Sequence, residues 1–142
     1  MTSRAARFAA VFAGLYAAHM IADHWIQSDH QAGHKSKPGR DGALACTQHV
    51  ATYTATTTAV TASLNRALQL DAGWRGILAG QIISAATHYW ADRRYTLEAL
   101  ADATGKGDFY RRGTDLGKGS YALDQSWHIG WLAVAALATA IL

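Results

Sequence analysis

The chain keeps its charges apart from long stretches that carry none. Residues 8–22 run for 15 positions without Asp, Glu, Lys or Arg, and further uncharged runs cover 42–65, 76–91 and 126–142. A membrane-spanning helix needs about 17–25 mostly apolar residues. The second run reaches that length, although Thr54, Thr56, Thr57, Thr58 and Thr61 make it only mildly apolar. The others reach it if the polar residues at their ends sit just inside the membrane. Trp25, Trp74, Trp90, Trp127 and Trp131 lie near run ends, as an interfacial aromatic belt requires. The pattern predicts an all-α fold. It is a single domain over 1–142, an antiparallel bundle of four transmembrane helices at about 4–29, 41–68, 73–103 and 120–142. The competing architecture is a soluble, Ala-rich bundle whose inner face is simply apolar. The first run, with Arg4 and Arg7 ahead of Phe8–Ala18, also has the outline of a signal peptide. It continues well past Ala18, and its polar residues match those of the later runs, so it is read as a helix.

The connections differ in kind. The first, 28–40, holds Gly33, Pro38 and Gly39, which are strong breakers. The second, around 71–73, is short and implies an antiparallel hairpin. The third, 104–119, has five glycines and mixed charge. It is the segment expected to move most. The first and third connections carry Lys35, Lys37, Arg40, Arg93, Arg94, Lys106, Arg111, Arg112 and Lys118. The other side has only Arg4, Arg7, Arg66 and Arg75. The positive-inside rule then puts the first side in the cytoplasm of a multi-pass inner-membrane protein and both termini outside. With 13 Lys and Arg against 10 Asp and Glu, the positive surplus is too small to argue for nucleic acid as a partner. The single cysteine, Cys46, excludes an intramolecular disulfide.

Three His–Asp pairs spaced by four residues sit in or beside the uncharged runs: His19 with Asp23, His88 with Asp92, and Asp124 with His128. Positions four apart share a helix face, so each pair points two ligand-type side chains one way. An ionisable group in such a setting is costly without a partner. If the helices alternate up and down, all three pairs and His49 fall at one depth, beside the first and third connections. The two halves also read as a weak duplication: a helix ending in His-x-x-x-Asp, a loop, then a helix with a histidine near its start. Imidazole and carboxylate together suit a divalent ion of the zinc, manganese or iron type. The candidate ligands are His19, Asp23, His49, His88, Asp92, Asp124 and His128, enough for one or two ions. A metal-free His–Asp hydrogen-bond network is the alternative. Gln27, Cys46, Tyr53, Gln81 and Ser84 extend the polar stripes as orienting partners or as ordinary interhelical hydrogen bonds. His24, His30 and His34, around the first connection, are read as solvated. Neither Gly105-Lys106-Gly107 nor Gly117-Lys118-Gly119 has the flanking residues of a phosphate-binding loop. No serine or cysteine sits in a nucleophile motif.

The order His19-Met-Ile-Ala-Asp23-His24-Trp25-Ile26-Gln27, a basic loop, His49, His88-Tyr-Trp-Ala-Asp92 and Asp124-Gln-Ser-Trp-His128 resembles the family called domain of unknown function 3307. The likeness covers nearly the whole chain. It departs at His24, where the family's pattern has an aromatic such as Phe. The resemblance implies a small bacterial or phage membrane protein with no established activity. The chain is also loosely similar to membrane-bound metal-dependent hydrolases, which carry histidines and acids at helix ends. The leading expectation is a metal-dependent hydrolase, embedded in the lipid bilayer, acting on a phosphorylated or lipid-like substrate. In it His49 serves as ligand or general base, and His49 and Asp124 are the catalytic candidates. Lys35, Lys37, Arg93 and Arg94 are placed to neutralise a phosphate. The other readings are a metal- or proton-binding carrier or sensor, and a non-catalytic structural membrane protein.

Overall fold

Helix α1 (Arg4–Ile21) starts where the Ser3 hydroxyl accepts from the Ala6 N–H, satisfying one of the free donors of the first turn. In the computed structural model, which describes residues 2–114 and 117–142, α1 widens into a π-helical turn (Ala22–Ile26). Then follow α2 (Asp29–His34), α3 (Gly39–Ala67), α4 (Trp74–Asp92), α5 (Tyr95–Ala103), α6 (Gly107–Tyr110) and α7 (Gly119–Ile141). No strand occurs among the described residues.

Two of the expected helices are interrupted. The first does not run on to 29. Ser28 and Gln31 form a capping box, with Gln31 N–H on Ser28 Oγ at 3.2 Å and Ser28 N–H on Gln31 Oε1 at 3.0 Å. Each thereby starts a new helix and ends the preceding turn. The helix expected over 73–103 breaks after Asp92. Arg94 takes a positive φ of 54°, and the chain restarts at Tyr95 on a new axis. Part of the expected third connection is also helical, as α6. There Arg111 grips Asp102 on α5 with two nitrogens, at 2.8 and 2.7 Å, and holds the Asp102 carboxyl below the usual carboxylate range. Asp115 and Leu116 of that connection lie outside the described residues.

The four long helices surround one interior: α1 packs on α3 and α7, and α4 packs on α3 and α7. Toward the chain termini the interior is apolar. Val11 and Leu15 of α1 and Leu70 meet Leu132, Ala135 and Ala136 of α7. Arg7 closes this end by donating to the carbonyls of Leu70 at 2.7 Å and Ala140 at 3.0 Å. Between α3 and α4 the contact is a polar ladder. Tyr53 and Ser84 hydroxyls lie 2.6 Å apart, and Thr57 donates to Gln81 Oε1 at 2.7 Å. Helices α4 and α7 approach each other closely. A Cβ on Gly80 would strike the Ala135 carbonyl and the Thr139 hydroxyl, and one on Gly76 would press on the Thr139 carbonyl. This small-residue spacing, Gly-x-x-x-Gly, lets two backbones meet directly.

Among the described residues, one helical segment, Arg4–Ile26, is long and apolar enough to cross a membrane. The other long helices fall short on that criterion, α3 in particular through its threonines. The tryptophans divide into two groups. Trp25 and Trp74 are largely exposed. Trp90 and Trp127 instead stack on each other at 4.5 Å, with Trp131 beside them, and Trp127 donates to Thr87 O at 3.1 Å. These three pack helix on helix.

Two glycine substitutions should move stability in opposite directions. Gly80→Ala forces α4 and α7 apart and should cost about 1–3 kcal/mol of overpacking. Gly130→Ala adds a methyl in open space on α7 and should gain about 0.5–1 kcal/mol by stiffening the unfolded chain. Thermal unfolding followed by circular dichroism reads both signs.

Candidate metal centre

Seven ligand-type side chains meet where the ends of α1 and α4 face the starts of α3 and α7. His19 comes from the last turn of α1 and Asp23 from the π-helical turn that follows. His49 comes from α3, His88 and Asp92 from the end of α4, and Asp124 and His128 from the start of α7. The i,i+4 spacing does locally what helix geometry requires: His19 Nδ1 lies 3.5 Å from Asp23, and His88 Nε2 3.2 Å from Asp92. His128 Nε2 lies 3.5 Å from Asp124. The contacts between helices then join the pairs. His49 Nε2 is 3.0 Å from His88 Nε2, 3.2 Å from Asp92 Oδ2 and 3.4 Å from Asp23 Oδ1. His88 Nε2 is 3.5 Å from the same Asp23 oxygen.

These lengths form a pattern. Four ligands held about 2.0–2.2 Å from a tetrahedral zinc-type ion lie about 3.3–3.6 Å from each other, and octahedral neighbours lie near 3.0 Å. The contacts among His49 Nε2, His88 Nε2, Asp92 Oδ2 and Asp23 Oδ1 span 3.0–3.5 Å. The two carboxylate oxygens are buried, yet neither receives a well-aligned hydrogen bond from the histidines beside it. Lone pairs that converge on a shared point, rather than N–H groups aimed at oxygens, are what a cation asks for. His49 and His88 each leave Nδ1 without a protein acceptor. With or without an ion at least one of these nitrogens carries a proton, so that feature favours neither state. These buried His and Asp groups could hold a metal ion.

Charge separates the two carboxylates. Asp92 has a cation of its own, since Lys35 Nζ reaches its Oδ1 at 2.9 Å. Asp23 meets only His19, His49 and His88 among the described residues. Its side chain is 8% exposed, so water screens it little. The remaining negative charge calls for a protonated imidazole or a metal cation.

The outer part of the cluster is looser. His128 Nε2 stands 4.0 Å from Asp92 Oδ1, and Gln125 joins His19 to Asp124 through contacts of 3.4 and 3.3 Å. Asp124 is 24% exposed, against 8% or less for the other six side chains. It is the one acid of the set that faces outward.

Several polar residues fall where the sequence pattern put them, and others do not. Tyr53 stacks on the His88 ring, with centroids 3.9 Å apart, and Ser84 holds its hydroxyl. The Gln27 amide reaches Lys35 Nζ. Cys46 instead points its sulfur to the Tyr89 carbonyl, 3.8 Å away, and takes no part in the cluster. His24, His30 and His34 lie outside it, and the last two stack on each other. Lys35 and Arg93 are buried and committed. Arg93 donates to the carbonyls of Lys35 at 3.0 Å and Lys37 at 2.8 Å, clamping the first connection over the site. Sequence spacing did not single out Gln125, and Lys35 entered as a charge of the first connection and a phosphate neutraliser, not as a partner of Asp92. Both act across more than fifty residues, where periodicity carries no signal.

No curated protein and no solved structure matches this chain. A family model described as a protein of unknown function, DUF3307, matches residues 11–142, which include all seven clustered side chains, and the chain therefore belongs to the DUF3307 family.

Proposed function

We propose that this chain is a membrane-embedded, metal-dependent hydrolase of a phosphorylated or lipid-like substrate. The observation that carries it is the set of 3.0–3.5 Å contacts among two imidazoles and two buried carboxylates, one of them without a Lys or Arg partner. In this reading His49, His88, Asp23 and Asp92 hold one ion of the zinc, manganese or iron type. His128 and Asp124, with the outer oxygen of Asp92, are the candidates for a second. Such an ion, when bound, polarises a phosphoryl oxygen and activates water. The protein's own residues divide the remaining work. His49 is wholly buried with its Nε2 turned to His88, a position suited to holding an ion. Asp124, at the exposed edge, is placed to accept a proton from attacking water. The four long helices form an antiparallel bundle in the bilayer. Tyr16, Ile21, Leu78, Ile82, Val134 and Leu137 on their outer faces support this. The site then lies near the cytoplasmic face, under the basic connections.

A second reading has its own support. The ladder of Tyr53, Ser84, Thr57, Gln81 and Thr61 leads away from His49 and His88 between α3 and α4, as a proton- or ion-conducting carrier would need. It predicts flux across proteoliposomes without turnover of any substrate.

Elemental analysis of the full chain, extracted in mild detergent, should find at least one bound transition ion per chain. Asp23→Asn and His88→Ala should each weaken its binding by more than the roughly 10–100-fold that loss of an orienting partner costs. If no ion co-purifies, none binds on titration, and replacing the His88–Asp92 pair by apolar residues is tolerated, the cluster is a structural network.

Lys35→Met gives a second test, because it lowers stability without an ion and raises affinity for one. Without an ion it strands the Asp92 charge and should cost roughly 3–5 kcal/mol. With an ion it removes a competing cation, so metal affinity should rise and the stability deficit should shrink on loading. Unfolding curves with and without added zinc or manganese measure both.

A further inference from the structure

Beside Asp124 a polar cavity of about 230 Å³ opens between α5, α6 and the first turn of α7. It is lined by Arg94, Tyr110, Lys118, Ser120 and Tyr121, with Asp124 at its inner edge. Neither Arg94 nor Lys118 makes an ion pair among the described residues, and both are exposed. Arg94 is also the residue held at φ 54°, a conformation that costs a bulky side chain about 1–3 kcal/mol and persists only when its surroundings impose it. Tyr110 of the same cavity donates to its carbonyl at 3.3 Å. The first turn of α7 adds the positive end of a long helix.

Leu97 lines this cavity and also a second one, an apolar groove of about 350 Å³ between α5 and α7. Leu100, Leu123, Trp127, Trp131 and Val134 form its walls. Gly130 leaves the groove open, because nothing stands within 4 Å of where its Cβ would be. A two-cation pocket and a mainly apolar groove thus share a wall, and the one partly exposed acid of the seven-residue cluster lines the pocket.

We propose that these two cavities form one binding site for a phosphorylated lipid, with the phosphate between Arg94 and Lys118 and a single hydrocarbon chain in the groove. This names the substrate class of the hydrolase proposed above and rests on that reading. The phosphate sits beside Asp124, at the mouth of the ion cluster. The groove is mainly apolar, with Lys106 its one cation, and the pocket sets two cations together, so the two parts fix the ligand's direction.

The test is a titration of the full chain in detergent micelles, followed by tryptophan fluorescence, since Trp127 and Trp131 line the groove. The probes are a short-chain phosphatidic acid, the matching diacylglycerol and inorganic phosphate, and metal content is measured on the same samples. Phosphatidic acid should bind at least about tenfold more tightly than either of the others. Its affinity should fall as salt rises, whereas that of diacylglycerol should not. The Arg94→Gln, Lys118→Gln double variant should lose about tenfold or more for phosphatidic acid, with its circular dichroism and metal content unchanged. Gly130→Leu should weaken both lipids and spare inorganic phosphate. The proposal is overturned if phosphatidic acid binds no better than diacylglycerol, if salt has no effect, or if the double variant binds as the native chain does. Inorganic phosphate binding as tightly as the lipid would make free phosphate the ligand and also overturn it. Lipid discrimination in a chain that holds no metal would sink the hydrolase and leave this site standing. A metal-loaded chain without discrimination would sink this site alone.

Discussion

Two carboxylates, Asp23 and Asp92, are buried within reach of the same two imidazole nitrogens, with one lysine to balance them. The rest of the molecule is arranged around that imbalance. Taking an ion out of water costs several kcal/mol even after relaxation, and a neighbour of opposite charge recovers it only in good geometry. Asp92 has such a neighbour in Lys35. Asp23 has three histidines, which balance its charge only by taking up a proton or by sharing a cation with it. Four helices must therefore deliver their imidazoles to one point, and the apolar packing at the opposite end holds them there. The contact of Gly76 and Gly80 with Ala135 and Thr139 brings α4 close against α7, with no side chain on the α4 side. His88 and His128, one on each helix, stack with ring centres 4.3 Å apart as a result.

The first connection is tied into the same site twice by adjacent residues. Asp92 takes the Lys35 ammonium, and Arg93 takes the carbonyls of Lys35 and Lys37. Gly42 is part of this closure, since a Cβ there would strike the Lys37 carbonyl with Arg93 alongside. A connection that reads as a basic loop is thus a lid held by buried, charge-assisted hydrogen bonds, which are the strong kind. It seals the cluster on that side. The lysine and arginine that look free to meet a substrate are consumed in holding it. On the opposite side of the cluster, Arg94 and Lys118 line the cavity beside Asp124.

Spacing within a helix was legible from the residues alone. Three pairs four apart, plus the order of the runs, were enough to bring seven side chains to one depth. The break at Ser28 carries a readable signature, the Ser-x-x-Gln spacing of a capping box, but the break after Asp92 does not, because it uses no breaker residue. The chain leaves α4 at Arg94, in a positive-φ conformation that the sequence offers no glycine or asparagine to announce. Asp23 sits in a π-helical turn that ordinary 3.6-residue periodicity cannot foresee. Lys35 with Asp92 and Gln125 with His19 are tertiary partners, 57 and 106 residues apart. Hydropathy misled in a different way. Uncharged is not the same as apolar, and threonines that lower the score of α3 are spent on the ladder to Gln81 and on its own carbonyls.

The ladder suits a carrier and the mouth an enzyme, and the two differ in where they end. A carrier needs an entrance on each side of its site. The hydroxyl ladder leaves His49 and His88, passes Tyr53 and Ser84, and stops at Gln81, Thr57 and Thr61. Beyond it lie Val11, Leu15 and Leu132, packed and almost wholly buried, with Arg7 holding the carbonyls at the far end. Those apolar side chains interrupt the path, and a hydrated ion entering them would lose its water with little to replace it. The other side is built differently. Asp124 is partly exposed, two cations stand beside it, and an apolar groove begins at the next wall. A site closed on one side by core and lid, and open on the other to a charged pocket, is suited to receiving a substrate and releasing it through the same opening. That asymmetry favours chemistry at the site over passage through it.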